Sequence, residues 1–407
     1  MSINKKTRIR MVKLAGCLCL LSFIVSSVAC KDKVAIYPNH YDTSVGTILD
    51  SLPTTFVHPG ILHTAERIAT LKQIVQKADP ASVAYMDFQL LSNDSKSKSD
   101  YAMKGPFDII SRDGVYKSTK GAFESDFSAA YLNALIWAVT GNKEHAEEAR
   151  KILLAYADKL KEIEVSNDAP LLAGLQGFQV MYAAEILGYT YPDMSSSDFD
   201  KIKTMVKNVF LPVLDKFYAT PPYTNGNWGI IVTKAYMAAG ILLDDHEMYK
   251  RAVDFYLNGN DNGTLPNYVD GETGQCQESG RDQGHAQLGI GGLGELCEVA
   301  FQQGTDLYSQ LDNRLLLGYE YVAKYNLGND VPFKTWKDVT GKYSSWTVVS
   351  PDSRGAFRTI YAVAYNHYAG LEGLSMPSVE EVVNNKLKLE GYDADNIGYG
   401  TFQFALH

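Results

Sequence analysis

Apolar residues recur at helical spacing in six stretches: Ala65 to Ala78, Phe127 to Thr140, Lys143 to Leu160, Leu172 to Leu187, Ser197 to Phe217 and Tyr236 to Leu257. Gly, Pro, Asn or Asp stand between them, the residues that start and stop helices. Strand-like alternation is scarce. Helices of this length joined by short connections predict an all-α fold, an α/α toroid of antiparallel helix pairs in a single domain. The small pairs Ala129-Ala130, Ala183-Ala184, Ala238-Ala239 and Gly291-Gly292 would let its inner helices approach closely. Three long segments lack the helical period: Asn93 to Ser125, Asn258 to Glu278 and Asn329 to Arg354. They are rich in Gly, Asp, Ser, Lys and aromatics, and loops of this length in a helical domain serve as lids or binding loops.

The N-terminus reads as an address. Lys5, Lys6, Arg8, Arg10 and Lys13 precede an apolar run, Leu14 to Val28, that is short for a membrane span and ends in small residues. Residues 1–30 are therefore expected to be a secretory signal. Ser27-Val28-Ala29-Cys30 resembles the bacterial lipobox, with Ser where Leu is usual. That resemblance implies a lipid anchor on Cys30 as the membrane attachment of an exported, periplasmic or outer-membrane protein, with plain secretion as the alternative. Residues 31–53 read as a tether, and 54–407 as the folded domain. Of the cysteines that remain, Cys276 and Cys297 either pair or stay as buried thiols. No metal framework is legible, and neither metal nor cofactor is expected.

Removing the five basic residues before Cys30 takes the formal charge from −9 to −14. Such a surface excludes nucleic acid as a partner. An anionic ligand must then be drawn by a local basic cleft. The segment ESGRDQGHAQLGIGGLG, Glu278 to Gly294, supplies one, since on a helix its Arg281 and His285 would share a face. Upstream, NGNWG (Asn225 to Gly229) sets Trp228 among amides and glycines. Amide, cation, imidazole and aromatic ring together suggest a site for an anionic sugar. Asn225 and Trp228 are candidate sugar contacts, although Trp228 could equally be core. Gln176 in AGLQG could reach the same cleft. Arg354 and Arg358, one helical turn apart, would either grip carboxylates of neighbouring sugars or pair with the scaffold. His58, His63 and His367 read as structural hydrogen-bonders, and His145, His246 and His407 carry no signal.

FVHPGILHT (Phe56 to Thr64), DFSAAYLNALIWAVTGN (Asp126 to Asn142), NGNWG, ESGRDQGHAQLG and RGAFRTIYAVAYNHY (Arg354 to Tyr368) resemble, in order, blocks of the alginate lyase superfamily of α/α-toroid polysaccharide lyases. Within it the chain looks most similar to polysaccharide lyase family 38. The resemblance covers Phe56 to Pro377 and implies cleavage of a 1,4-linked polyuronate by β-elimination without a cofactor, the polymer being alginate, especially its mannuronate-rich stretches, or glucuronan. It carries over Asn227 as the group that neutralises the uronate, with Arg281 and His285 beside it. A catalytic Tyr does not carry over. Where better-known members have an Asn-His pair, Asn227 is followed by Trp228, and the two positions where relatives place the Tyr hold Leu288 and Gly294. Among 26 tyrosines, Tyr343 in the loop KYSSW is the candidate, with its pKa lowered by Arg281; Tyr308 reads as a packing residue. Two rivals remain open. One is a hydrolase of acidic oligosaccharides using two of Asp270, Glu272, Glu278 and Asp282; the other is a glycan-binding surface lipoprotein without activity.

Overall fold

The computed structural model describes residues 48–406. The expected signal, Cys30 and most of the tether lie outside them. Helices dominate: α1 (Ala65–Lys77), α2 (Val83–Asn93), α3 (Lys120–Thr140), α4 (Lys143–Lys159), α5 (Ala169–Thr190), α6 (Ser196–Met205), α7 (Leu211–Ala219), α8 (Gly226–Leu242), α9 (His246–Asn258), the short α10 (Leu265–Tyr268), α11 (Gln283–Gln302) and α12 (Gln310–Asn326), then the short α13 (Tyr361–Tyr365), α14 (Pro377–Glu381) and α15 (Gly400–Gln403). A wider π turn, Val206–Phe210, joins α6 to α7. One two-residue parallel pair, Ile109–Ile110 with Glu162–Ile163, is the sheet among the described residues.

The alternation of helix types is set by composition. Helices α3, α5, α8 and α11 are buried on nearly every face, whereas α4 and α9 carry charge on one face and bury the other. The first four pack side by side, α3 on α5, α5 on α8 and α8 on α11, while α4, α9 and α12 lie outside their preceding partners. This is the expected α/α toroid. Glycine permits the inner contacts: a Cβ on Gly174 would stand 2.5 Å from Ile231, and one on Gly292 2.8 Å from Ile230.

Short turns join each inner helix to the outer helix that follows, and the long connections lead back into the next inner helix. All inner helices therefore begin at one end, where the long loops collect. Boundaries differ from the sequence expectation in three places, and the first is that α3 starts at Lys120, inside the segment Asn93 to Ser125 expected to lack helix. The stretch Tyr236 to Leu257 is two helices, because the chain turns at Asp244 (φ 54°) and Asp245 caps α9 by accepting from the Met248 N–H. The inner helix before that turn starts at Gly226, so NGNWG opens a helix. Cys276 and Cys297 are free, buried thiols.

The C-terminal segment closes the ring by lodging carboxylates on backbone amides. Glu390 accepts from the N–H groups of Tyr361 and Ala362 at 2.6 and 2.8 Å, and Asp87 from those of Gly391 and Phe402 at 3.1 and 3.0 Å. Between α8 and α11 a buried Lys234–Glu295 pair has its ammonium 4.5 Å from the Phe178 ring centre, and Glu295 also accepts from the Ile397 N–H. Burial pushes Glu390 up to about 8 and Asp87 up to about 6 despite their amide donors. An unfolded Glu titrates near ~4.3, so from there to about 8 the folded chain holds a proton that the unfolded chain releases. Stability should thus fall as pH rises through this window and level off above it. Thermal melts across the range should show that decline, and Glu390→Gln should flatten part of it; an identical slope in the variant would remove Glu390 as the cause.

Candidate active site

The site forms where α8 and α11 begin. Asn225 is the N-cap residue of α8, but its side chain does not cap the helix. The orphan amides are taken instead by the loop before α11: Gln277 accepts from the Gly226 N–H at 3.0 Å and Glu278 from the Asn227 N–H at 3.0 Å. A Cβ on Gly226 would meet the Tyr268 ring at 2.3 Å, so this close approach requires glycine. Glu278 is fully buried and gathers further donors: Asn227 Nδ2 at 2.7 and 2.9 Å, an Arg281 guanidinium N–H at 2.9 Å and the Tyr268 hydroxyl at 3.3 Å. Burial raises its pKa, while Arg281, His285 and the Asn227 amide pull the other way. Asn227 is itself 1% exposed, and its Oδ1 is buried with no hydrogen-bond partner among the described residues. A buried acceptor left unpaired costs about 1–3 kcal/mol.

Arg281 and His285 do not share a helical face as expected, because Asp282 caps α11 and leaves Arg281 in the preceding turn. One Asp282 oxygen accepts from the His285 N–H at 2.7 Å, and the other pairs with His285 Nδ1 at 2.7 Å and with Arg281 Nε at 3.6 Å. Burial works against the Asp282 carboxylate, but these partners hold its pKa below the ordinary value. With Nδ1–H on a carboxylate, the neutral ring has its lone pair on Nε2. The side chains of His285 and Arg281 are 39% and 30% exposed, so both can be reached from solvent.

The segment from Asn329 to Arg354 contains no helix and straps across this region. Asp338 organises it, accepting from Ser344 Oγ at 2.7 Å, the Tyr343 N–H at 2.9 Å and Asn262 Nδ2 at 3.2 Å. The Ser350 N–H donates to Ser279 O and the Gln283 N–H to Asp352 O, both at 2.9 Å. Tyr343 is half-buried and donates to the Tyr223 carbonyl at 3.3 Å. Burial raises its pKa; the charge of Arg281 lowers it but does not prevail, contrary to the expected net lowering. Trp346 lies nearly parallel to Tyr343, centroids 6.2 Å apart, and its Cβ would be 2.4 Å from a Cβ on Gly280.

Other candidates stand elsewhere. Tyr308 is core, its hydroxyl on Gly294 O and Glu298 at 3.1 Å each and its ring stacked on His367 at 3.7 Å. Arg354 donates to the carbonyls of Tyr325 and Asn329, and Arg358 to Asp393, Asp395 and Asn396, so both are engaged by the scaffold. Gln176 is buried in α5 with an unpartnered Oε1. Trp228 packs part of its ring on the core, and Asn225 accepts from Gln277 at 3.3 Å. His58 bridges Glu185 and Asp244, and His63 meets the Tyr182 hydroxyl. Three of the four carboxylates a hydrolase could draw on are committed, Asp270 to Lys334, Glu278 to its donors and Asp282 to His285, while the fourth, Glu272, is exposed. Among the described residues no group of three or more His, Cys, Asp or Glu could hold a metal ion.

Sequence reasoning missed three parts of this arrangement: Glu278 as the anchor of Asn227 and Arg281, Asp282 as the residue that orients His285, and Trp346. The Asp282 role had a legible signal, an acidic residue three before a His at a helix start. The other two depend on contacts between distant segments.

No curated protein sequence matches the chain. Among solved structures, alginate lyase A1-III from Sphingomonas species A1 superposes with a TM-score of 0.64 at 10% identity, over 86% of this chain and 98% of that one. A complex of A1-III with a tetrasaccharide gives 0.61 at 12% identity, over 85% and 97%. An alginate lyase from Bacteroides ovatus gives 0.54 at 12% identity, over 86% and 100%. Identities this low establish the shared fold. The alginate lyase family model matches residues 77–333, more than half of the chain, from the last residue of α1 through the whole of α12. With the helical ring and the site at its loop-bearing end, that match makes the chain a member of the alginate lyase family.

Proposed function

We propose that this protein is a polysaccharide lyase that cleaves a 1,4-linked polyuronate, alginate with a preference for mannuronate-rich stretches or glucuronan, by β-elimination. The observation that carries this reading is the Asp282–His285 pair beside Arg281, an oriented imidazole with its Nε2 lone pair outward next to an accessible cation. The C5 proton of a uronate is barely acidic while its carboxylate keeps full charge. Arg281 and Asn227 are the groups that would neutralise it, the first by charge and the second by hydrogen bonding. His285 Nε2 takes the C5 proton, the electron pair forms the C4–C5 double bond, and the C4–O bond breaks. Tyr343 fits the role of acid to the departing oxygen, since a raised pKa keeps its hydroxyl protonated at neutral pH. Trp228 and Trp346 are rings on which sugars could stack. Beside Tyr223 a cavity of about 340 Å³, with Lys161 and Lys216 on its wall, gives an extended anionic chain a further surface.

We read the protein as exported and tethered through Cys30. Growth with labelled palmitate, followed by Cys30→Ser, would show loss of the label if that holds.

The activity is tested by incubating polymannuronate, polyguluronate and glucuronan with the protein and following ultraviolet absorbance of an unsaturated product. Absence of product from all three, with the chain folded, ends the lyase reading. His285→Ala should reduce the rate by about 10²-fold or more with the melting temperature unchanged, and Asn227→Ala should lower kcat far more than it raises KM. A His285→Ala rate within a few-fold of wild type would make that residue structural.

Tyr343→Phe keeps the ring and its contact with Trp346 while deleting the hydroxyl, and should remove roughly a hundredfold of rate. Tyr308→Phe should leave the rate unchanged, its hydroxyl being spent on Gly294 and Glu298. The opposite pair of results would take the acid role away from Tyr343.

A further inference from the structure

The Asn227 amide faces the wrong way for the task just assigned to it. Both Nδ2 contacts go to Glu278, and the edge without a partner is the carbonyl oxygen, an acceptor. A uronate carboxylate needs donors. Turning the amide by half a rotation about Cβ–Cγ would present Nδ2 at that edge, but would also set Oδ1 against the Glu278 oxygens, acceptor against acceptor. That clash disappears when Glu278 holds a proton, for its O–H then donates to Asn227 Oδ1.

We infer that Glu278 is a positioning residue whose protonation turns the Asn227 amide, so that the site receives a uronate with uptake of one proton onto Glu278. This rests on the lyase reading and specifies how its neutralising amide becomes available. The proton comes from solvent and no covalent bond in the sugar changes.

The surroundings of Glu278 suit such a role. It sits at the junction of three elements: the start of α8, through the backbone and side chain of Asn227; α10, through Tyr268; and the turn into α11, through Arg281. The charged and titratable groups facing it are Arg281 and His285, which favour its anion, and Tyr268, Cys276 and Tyr343, which are neutral. Its full burial favours the neutral acid. In this structure, then, the Arg281 cation and the amide donors favour the carboxylate. An arriving uronate adds a further negative charge to those of Glu278 and Asp282 near Arg281 and tips the balance toward the acid. Asn227 exposes only 1% of its surface, so binding must also uncover the amide edge, and half-buried Trp228 is the neighbouring side chain best placed to move.

Proton uptake can be counted directly. In the His285→Ala background, which removes the proposed base and slows cleavage, a saturated uronate tetrasaccharide of the type wild type cleaves is titrated by calorimetry at about pH 8 in buffers of differing ionisation enthalpy. Binding should take up close to one proton, and none when Glu278→Gln is added, because the substituted amide donates to Asn227 Oδ1 permanently. With His285 intact, Glu278→Gln should retain kcat/KM at alkaline pH, where wild type loses about tenfold per pH unit. No uptake in the single variant, or equal uptake in both, overturns the inference, and the single variant suffices for this if Glu278→Gln does not fold. The two readings fail separately: wild type that makes no unsaturated product ends the lyase reading, whereas product formed without proton uptake ends this one alone.

Discussion

A carboxylate without contact to water must find its donors inside the protein, and Glu278 finds them on three segments. An isolated buried carboxylate would cost several kcal/mol, so the chain has to bring Asn227, Tyr268 and Arg281 to it or leave it neutral. Asn227 and Glu278 are 51 positions apart, and meeting them fixes the start of α8 against the approach to α11. The same bonds that satisfy Glu278 therefore assemble the site. Gly226 and Gly280 allow it, one under the Tyr268 ring and the other under Trp346.

The toroid places this junction where it can act on an anion. Inner helices α3, α5, α8 and α11 all begin at the end that holds the long connections. Each start carries the positive end of a helix dipole, an effect confined to the first turn. The chain as a whole is acidic, with a formal charge of −9, which alone would repel a polyuronate. At physiological salt, charges beyond about 8 Å are largely screened, so Arg281 and the helix starts, not the net charge, set the local potential of the cleft.

The ring was legible because its signal is local. Periodic apolar residues, caps such as Asp245 and small residues at the inner contacts sit within a few positions of one another. The segment Glu278 to Gly294 and the NGNWG motif were visible for the same reason. What escaped the sequence was direction. Nothing in NGNWG tells that the Asn227 donors face Glu278, or that Arg281 lies before the helix and His285 inside it. The two arginines of the block from Arg354 to Tyr368 looked equally fit to bind sugar. Asp393 and Asp395, more than thirty positions on, claim Arg358, and backbone carbonyls claim Arg354. Long polar side chains have too many partners within reach for spacing alone to choose among them.

The break in the helix at Asp282 separates two roles that a continuous helix would have merged. Had α11 started earlier, Arg281 and His285 would lie one above the other, and both would compete for the same anion. The cap divides them. Asp282 takes the imidazole and keeps Nδ1 protonated, while Glu278, three residues before Arg281, takes a guanidinium N–H and the amide. Two carboxylates thus carry different burdens because their burial differs: Asp282, partly exposed, stays ionised and orients the His285 imidazole, whereas Glu278, sealed from water, is poised between a charge that Arg281 favours and a proton that burial favours. A half-turn of residue placement at the start of one helix is enough to produce that division, setting the imidazole on one carboxylate and the amide and a guanidinium N–H on the other.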